Sequence, residues 1–121
     1  MSESQPFHTE EVRGVTVVHL PEDYTSAYEN TLADMAGLLD LANSIEPARM
    51  VVDMPNVKYI GSAFIGFLIS LSSRVQERPN GRLALSNVAP FIRMALQKTR
   101  SDMLLQMHDS LDDAVESLAT Y

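Results

Sequence analysis

No cysteine occurs anywhere in the 121 residues. That removes disulfide frameworks, thiolate catalysis, zinc–thiolate sites and iron–sulfur ligation together. Glycines are few, at 14, 37, 61, 66 and 81. None of them builds G-x-G-x-x-G or a phosphate loop, and no Gly-Lys-Ser/Thr occurs. The histidines His8, His19 and His108 lie far apart without a His-x-x-x-His pair. They read as surface or strand-end residues, and no metal site is expected. The nucleophile elbow G-x-S-x-G is missing too, because Ser62 has Ile60 and Phe64 where the glycines would stand. No catalytic residue and no cofactor is expected. Bases are also scarce: nine Lys and Arg face sixteen Asp and Glu, a net charge of −7. A surface of that sign does not grip nucleic acid or anionic lipid as a whole.

Long apolar runs are absent. The longest, Ala63 to Leu71, falls far short of the roughly 20 residues a membrane span needs. Residues 1–12 carry acids rather than a basic n-region before an apolar core, so no secretory signal is read. The expectation is a cytoplasmic protein without membrane insertion.

A core is affordable on this composition, with 45% hydrophobic and 21% charged residues. The length suits one domain over 7–121, after a polar, flexible N-terminus over 1–6. Phe7 to Val12 and Val15 to Leu20 pair across the Arg13-Gly14 turn, and Pro21 ends the pair. Ser26 with Glu29 forms a capping box for a helix. Tyr28, Leu32, Met35, Leu38, Leu39 and Ala42 recur along it at helical spacing. Arg49 to Met54 is a nearly apolar strand, which suits helices on at least one face. Val57 to Ile60 reads as a connector, and Ser62 caps a helix over 62–77 that Pro79-Asn80-Gly81 closes. Arg82 to Ser86 is another core strand. Asn87 caps the next helix, with Pro90 in its first turn and Phe91, Ile92, Met94, Ala95 and Leu96 as its apolar side. Met103 to Met107 is a last short strand, and Ser110 caps a final helix. Strands alternating with helices after a hairpin predict an α/β sandwich with a mixed sheet of four or five strands and about four helices.

Several chemically suggestive residues have plain explanations. Glu22-Asp23 falls in a turn, and Asp112-Asp113 occupies a helix first turn where the dipole favours acids. Met35, Met50, Met54 and Met94 sit at apolar positions, which suits core filling.

The informative stretch runs from Val51 to Leu68 and sets a serine hydroxyl at a helix start, directly after a strand and loop. Free backbone N–H groups and the positive dipole end favour an anion there. A phosphate on Ser62 would add nearly two negative charges without breaking the helix. Phe64, Phe67, Leu68, Leu71 and Val75 form an inward stripe, while Ser62, Gly66, Ser70 and Ser73 share another face where a partner's backbone could come close. On these residues alone, an N-cap serine beside small packing residues is the favoured explanation, since serine is a common helix cap.

The strand–loop–serine–helix segment, the element order and the length resemble the STAS family, the sulfate-transporter and anti-sigma-factor-antagonist domain. The likeness covers about residues 7 to 119. It implies a stand-alone bacterial anti-sigma factor antagonist that regulates sigma-factor-dependent transcription by partner switching. In such proteins the first serine of an Asp-Ser-Ser-Gly-like turn is phosphorylated by the anti-sigma factor, itself a serine kinase. Only the unphosphorylated form binds that kinase, and a phosphatase resets the switch. Ser62 falls on the phosphoserine, Ala63 on the following serine and Gly66 on a recurrent glycine. Gly61 replaces the usual preceding acid, and Phe64 replaces the usual glycine. The resemblance further places the loop with Glu22, Asp23 and Thr25 at the kinase interface, beside Gly61, Ser62, Ala63, Gly66 and Ser70. The two departures keep a second possibility open: a STAS-like interaction module without a phospho-switch, as a scaffold or a transporter-ATPase subunit. Between Arg74 and Arg100 six bases accompany one acid, Glu77. That asymmetry suits either a steered encounter or a solvated helical surface.

Overall fold

In the computed structural model, which describes residues 7–20, 26–27 and 36–119, five strands form one mixed sheet. β1 (His8–Val12) and β2 (Val15–His19) form the expected antiparallel hairpin. Both turn residues have positive φ, Arg13 at 53° and Gly14 at 82°, the conformation that two-residue hairpin loops demand. β4 (Arg49–Asp53), β6 (Arg82–Ser86) and β7 (Gln106–His108) then add in parallel, in the order β1-β2-β4-β6-β7. A separate parallel pair joins β3 (Ser26–Ala27) to β5 (Tyr59–Ile60).

The helices are α1 (Gly37–Ser44), α2 (Ser62–Gln76), α3 (Pro90–Lys98) and α4 (Leu111–Leu118). They cover both faces of the sheet. On one face Val18, Met50, Val52, Leu83 and Leu85 meet apolar residues of α1, α2 and α3. On the other, Val15, Val17, Val51 and Ala84 meet Ala114, Val115 and Leu118 of α4. Consecutive residues of β4 point to opposite sides, which is why its middle had to be apolar throughout. No helix among the described residues is long and apolar enough to cross a membrane.

Several boundaries differ from expectation. Ser26 does not cap a helix; its backbone is held extended by pairing with Tyr59. Residues 28–35, with Glu29, Tyr28, Leu32 and Met35, lie outside the described residues, as does the N-terminus over 1–6. The supposed connector Val57–Ile60 contains β5, which pairs with β3. Asn87 is not the cap of α3: Ala89 occupies that position, with Pro90 first in the helix as expected. Of the apolar side proposed for α3, only Ile92 and Leu96 are buried, while Phe91 and Met94 are exposed. The last strand begins later than Met103, because Ser101–Met103 forms a 3-10 turn closed by the Leu104 amide on the Ser101 carbonyl. Ser110 caps α4 as expected, accepting from the Asp113 amide at 3.1 Å, with Asp112 and Asp113 in the first turn. Met50 and Met54 are fully buried.

Candidate functional site

The four parallel strands end in register. β1 and β2 pair His8 with His19, and the row continues through Asp53 and Ser86 to His108. A polar line therefore crosses the sheet where its parallel strands run out. Asp53 is its centre and is only 5% exposed. Its Oδ1 accepts from Ser86 Oγ at 2.7 Å and from Asn87 Nδ2 at 2.8 Å. Its Oδ2 lies 3.2 Å from His19 Nδ1, and His19 Nε2 lies 2.7 Å from Glu10 Oε2. A buried carboxylate is tolerable only when its oxygens are partnered in this way. The network ties together the ends of β2, β4 and β6. It also explains Asn87, whose positive φ of 55° turns the chain so that the side chain reaches Asp53 and its amide donates to the His108 carbonyl.

Beside this row an open cleft of about 360 Å³ is lined by His8, Glu10, His19, Asp53, Pro55 and Asn56. Among the described residues no group of three or more His, Cys, Asp or Glu could hold a metal ion.

The chain leaves the sheet from Asp53, passes through β5 and enters α2. Both α2 and α3 begin shortly after a parallel strand ends, so their first turns belong to the same edge as the polar row. Gly61 is the cap of α2, extended at φ −96° and ψ 165°, and no side chain caps the helix. Ser62 is thus the first helical residue rather than the cap, one position later than expected. The amides of Phe64 and Ile65 donate to the Gly61 carbonyl, each at 3.1 Å. The amides of Ser62 and Ala63 are the ones that helix geometry leaves without an intrahelical acceptor.

Gly61 is half-buried, and Ser62, Ala63, Gly66, Ser70 and Ser73 are exposed along the outer side of α2. The inward stripe is Phe64, Ile65, Leu68, Leu71, Ser72 and Val75, with Phe67 only half-buried. Phe64 is 1% exposed, so the bulky residue of the serine motif turns into the core and leaves the outer surface to small side chains. A Cβ added at Gly66 would meet nothing within 4 Å. The helix start and its small-residue face therefore gather five of the eight expected interface residues. The other three, Glu22, Asp23 and Thr25, lie outside the described residues.

Two features escaped the sequence. Asp53 was detectable as the sole acid in an apolar strand. The second is an exposed apolar cluster: Tyr59, Phe91 and Met94 are 51%, 51% and 50% exposed. The rings of Tyr59 and Phe91 meet edge to face, with centroids 5.3 Å apart.

Comparison with known proteins adds the following. The family model described as STAS domain matches residues 7–114. An anti-sigma-factor antagonist (STAS) domain protein from Planctomyces limnophilus has a similar structure, with a TM-score of 0.86 and 23% identity, covering 94% of this chain and 98% of that one. An anti-sigma factor antagonist from Mycobacterium paratuberculosis gives a TM-score of 0.79 at 19% identity, covering 93% and 92% of the two chains. The Bacillus cell fate determinant SpoIIAA in its phosphorylated form gives 0.64 at 16% identity, covering 93% and 98%. No curated protein sequence matches the chain.

Proposed function

The chain belongs to the STAS domain family, and from that premise we propose that it acts as an anti-sigma factor antagonist. In this reading it is a non-catalytic, cytoplasmic bacterial regulator. It binds an anti-sigma factor with serine kinase activity, which frees a sigma factor for transcription. Phosphorylation of Ser62 by that kinase ends docking, and a phosphatase restores it. Gly61, Ser62, Ala63, Gly66 and Ser70 face the partner, with Glu22, Asp23 and Thr25 on the neighbouring loop.

The observation that carries the reading is the position of Ser62. Its side chain is exposed on the first residue of a fifteen-residue helix, where a kinase can reach the hydroxyl and the dipole favours the product. The modification adds charge to the surface and leaves the buried stripe of α2 untouched, so it acts on docking and not on folding. The departure at Phe64 does not disturb the surface, because that ring is in the core.

The test uses the purified protein with each ATP-binding anti-sigma factor of its source organism. Mass spectrometry after incubation with ATP is expected to find one phosphate, on Ser62. An unmodified Ser62, while the same kinase modifies another antagonist, overturns the switch. Calorimetric titration of Ser62→Asp is expected to show lost affinity. Unchanged affinity would instead identify an interaction module without a phospho-switch.

A further inference from the structure

The elements around Ser62 have a charge unlike the rest of the protein. Segments 54–76 and 87–101 contain no Asp or Glu, although the chain holds sixteen. They do contain Lys58, Arg74, Arg93, Lys98 and Arg100. Among the described residues only Arg93 of these makes an ion pair, with Asp109 at 2.9 Å. In this acid-free zone lie the exposed side chains of Tyr59, Phe91 and Met94. Tyr59 stands three residues before Ser62, and its ring packs edge to face on Phe91 in the first turn of α3. Phe91, Met94 and Lys98 follow at helical spacing, so they share one exposed stripe. Lys58 adjoins Tyr59 at the other end.

Resting on the reading of Ser62 as a docking switch, we infer that Tyr59, Phe91 and Met94 anchor the protein partner, and that the partner meets them with apolar side chains rimmed by carboxylates. Aromatic and Met side chains are the residue types that carry binding energy at interface centres. The two rings already pack edge to face, so covering them fixes less new freedom than two separate side chains would. Lys98 lies on the same stripe and Lys58 is the exposed residue before Tyr59, so a complementary partner is acidic there. The same complementarity gives the switch its sign. A phosphate on Ser62 adds nearly two negative charges within segments that hold no Asp or Glu of their own, opposite the partner's carboxylates. The net charge of −7 argues against an anionic membrane as the occupant.

The test needs no identified partner. The ¹⁵N-labelled protein is titrated with two synthetic amphipathic helical peptides, one of Leu and Glu and one of Leu and Lys. The acidic peptide is expected to shift the amides of Tyr59, Phe91, Met94 and Lys98, and the basic one is not. Raising the salt from about 50 to 300 mM should weaken the acidic peptide by about tenfold. Phe91→Ser should abolish the shifts at Tyr59 and Met94. Met94→Gln should weaken them, which keeps the test open should Phe91→Ser disturb α3. Shifts centred elsewhere, equal response to both peptides, or capture by phosphatidylserine vesicles each overturn the inference. Ser62→Asp separates the two ideas. If it binds the acidic peptide as wild type does, the anchor stands and the switch fails. Weakened binding supports both.

Discussion

Replacing Asp53 tests whether the polar row at the strand ends holds this edge together. Asp53→Ala removes three contacts at once: Ser86 Oγ at 2.7 Å, Asn87 Nδ2 at 2.8 Å and His19 Nδ1 at 3.2 Å. Ser86 is fully buried, so its hydroxyl would be left without an acceptor and without water. One such orphaned group costs about 1–3 kcal/mol. Asn87 and His19 are half-buried and recover part of their loss from solvent. We expect a total of about 2–4 kcal/mol, a large share of the ~5–15 kcal/mol that stabilises a domain. Asp53→Asn keeps one carbonyl oxygen for Ser86 and Asn87, and should cost about 1 kcal/mol. The decisive comparison is a double-mutant cycle. Ser86→Ala deletes the hydroxyl that Asp53→Ala would orphan, so the double variant should recover about 1–2 kcal/mol relative to the sum of the singles. Urea denaturation reads all four proteins, with the midpoint moving and the slope constant. Additive singles, or a loss below about 0.5 kcal/mol for Asp53→Ala, would refute the claim that this carboxylate organises the edge.

Three further outcomes follow from the same structure. Ser62→Asp should leave the unfolding free energy from urea denaturation within about 0.5 kcal/mol of wild type, since the side chain is exposed in a helix first turn that tolerates acids; a large loss would mean the hydroxyl is structural. Gly66→Ala should stabilise the fold by about 0.5–1 kcal/mol, because nothing lies within 4 Å of the new methyl, and the same variant should weaken docking if a partner backbone approaches there. Gly81→Ala should lower the melting temperature sharply, because its Cβ would fall 1.7 Å from the Val75 carbonyl oxygen, a backbone atom that cannot swing aside.

How much of this was legible depended on whether a residue's role is local. β2, β4 and β6 could be read from β-branched and apolar runs, and the Arg13-Gly14 turn from its glycine, because strand pattern and turn chemistry act over a few residues. The same holds for Ser110, whose side chain bonds three residues ahead. Asn87 was misread because an Asn shortly before a helix looks like a cap; its true partner, Asp53, is 34 positions away. Ser26 failed for a related reason, since its pairing with Tyr59 is invisible in its own neighbourhood. Phe91 and Met94 show the limit of apolar periodicity. The pattern on α3 is wider than the arc the core can accept, and only Ile92 and Leu96 face inward. An excess of apolar residues over buried positions is a surface signal that periodicity alone cannot separate from core.

The candidate site is built in two layers with different duties. Behind it, Asp53, Ser86, Asn87 and His19 fasten the strand ends from which the chain departs toward α2 and α3. In front, Ser62, Gly66, Tyr59, Phe91 and Met94 are exposed and carry little of the core. Phe64 marks the division: two residues past the serine, the helix already buries a full aromatic ring. A charge added at Ser62 thus changes what the surface offers while the inward stripe keeps the helix seated on the sheet. Substitutions in the rear layer should move stability and docking together, because they release the chain that carries the front layer. Side-chain substitutions in front should move docking with little loss of stability, Gly66→Ala adding only its helix-propensity gain. The proposed switch at Ser62 would need that separation to act repeatedly without unfolding, and the burial of Phe64 beneath a face of small side chains supplies it.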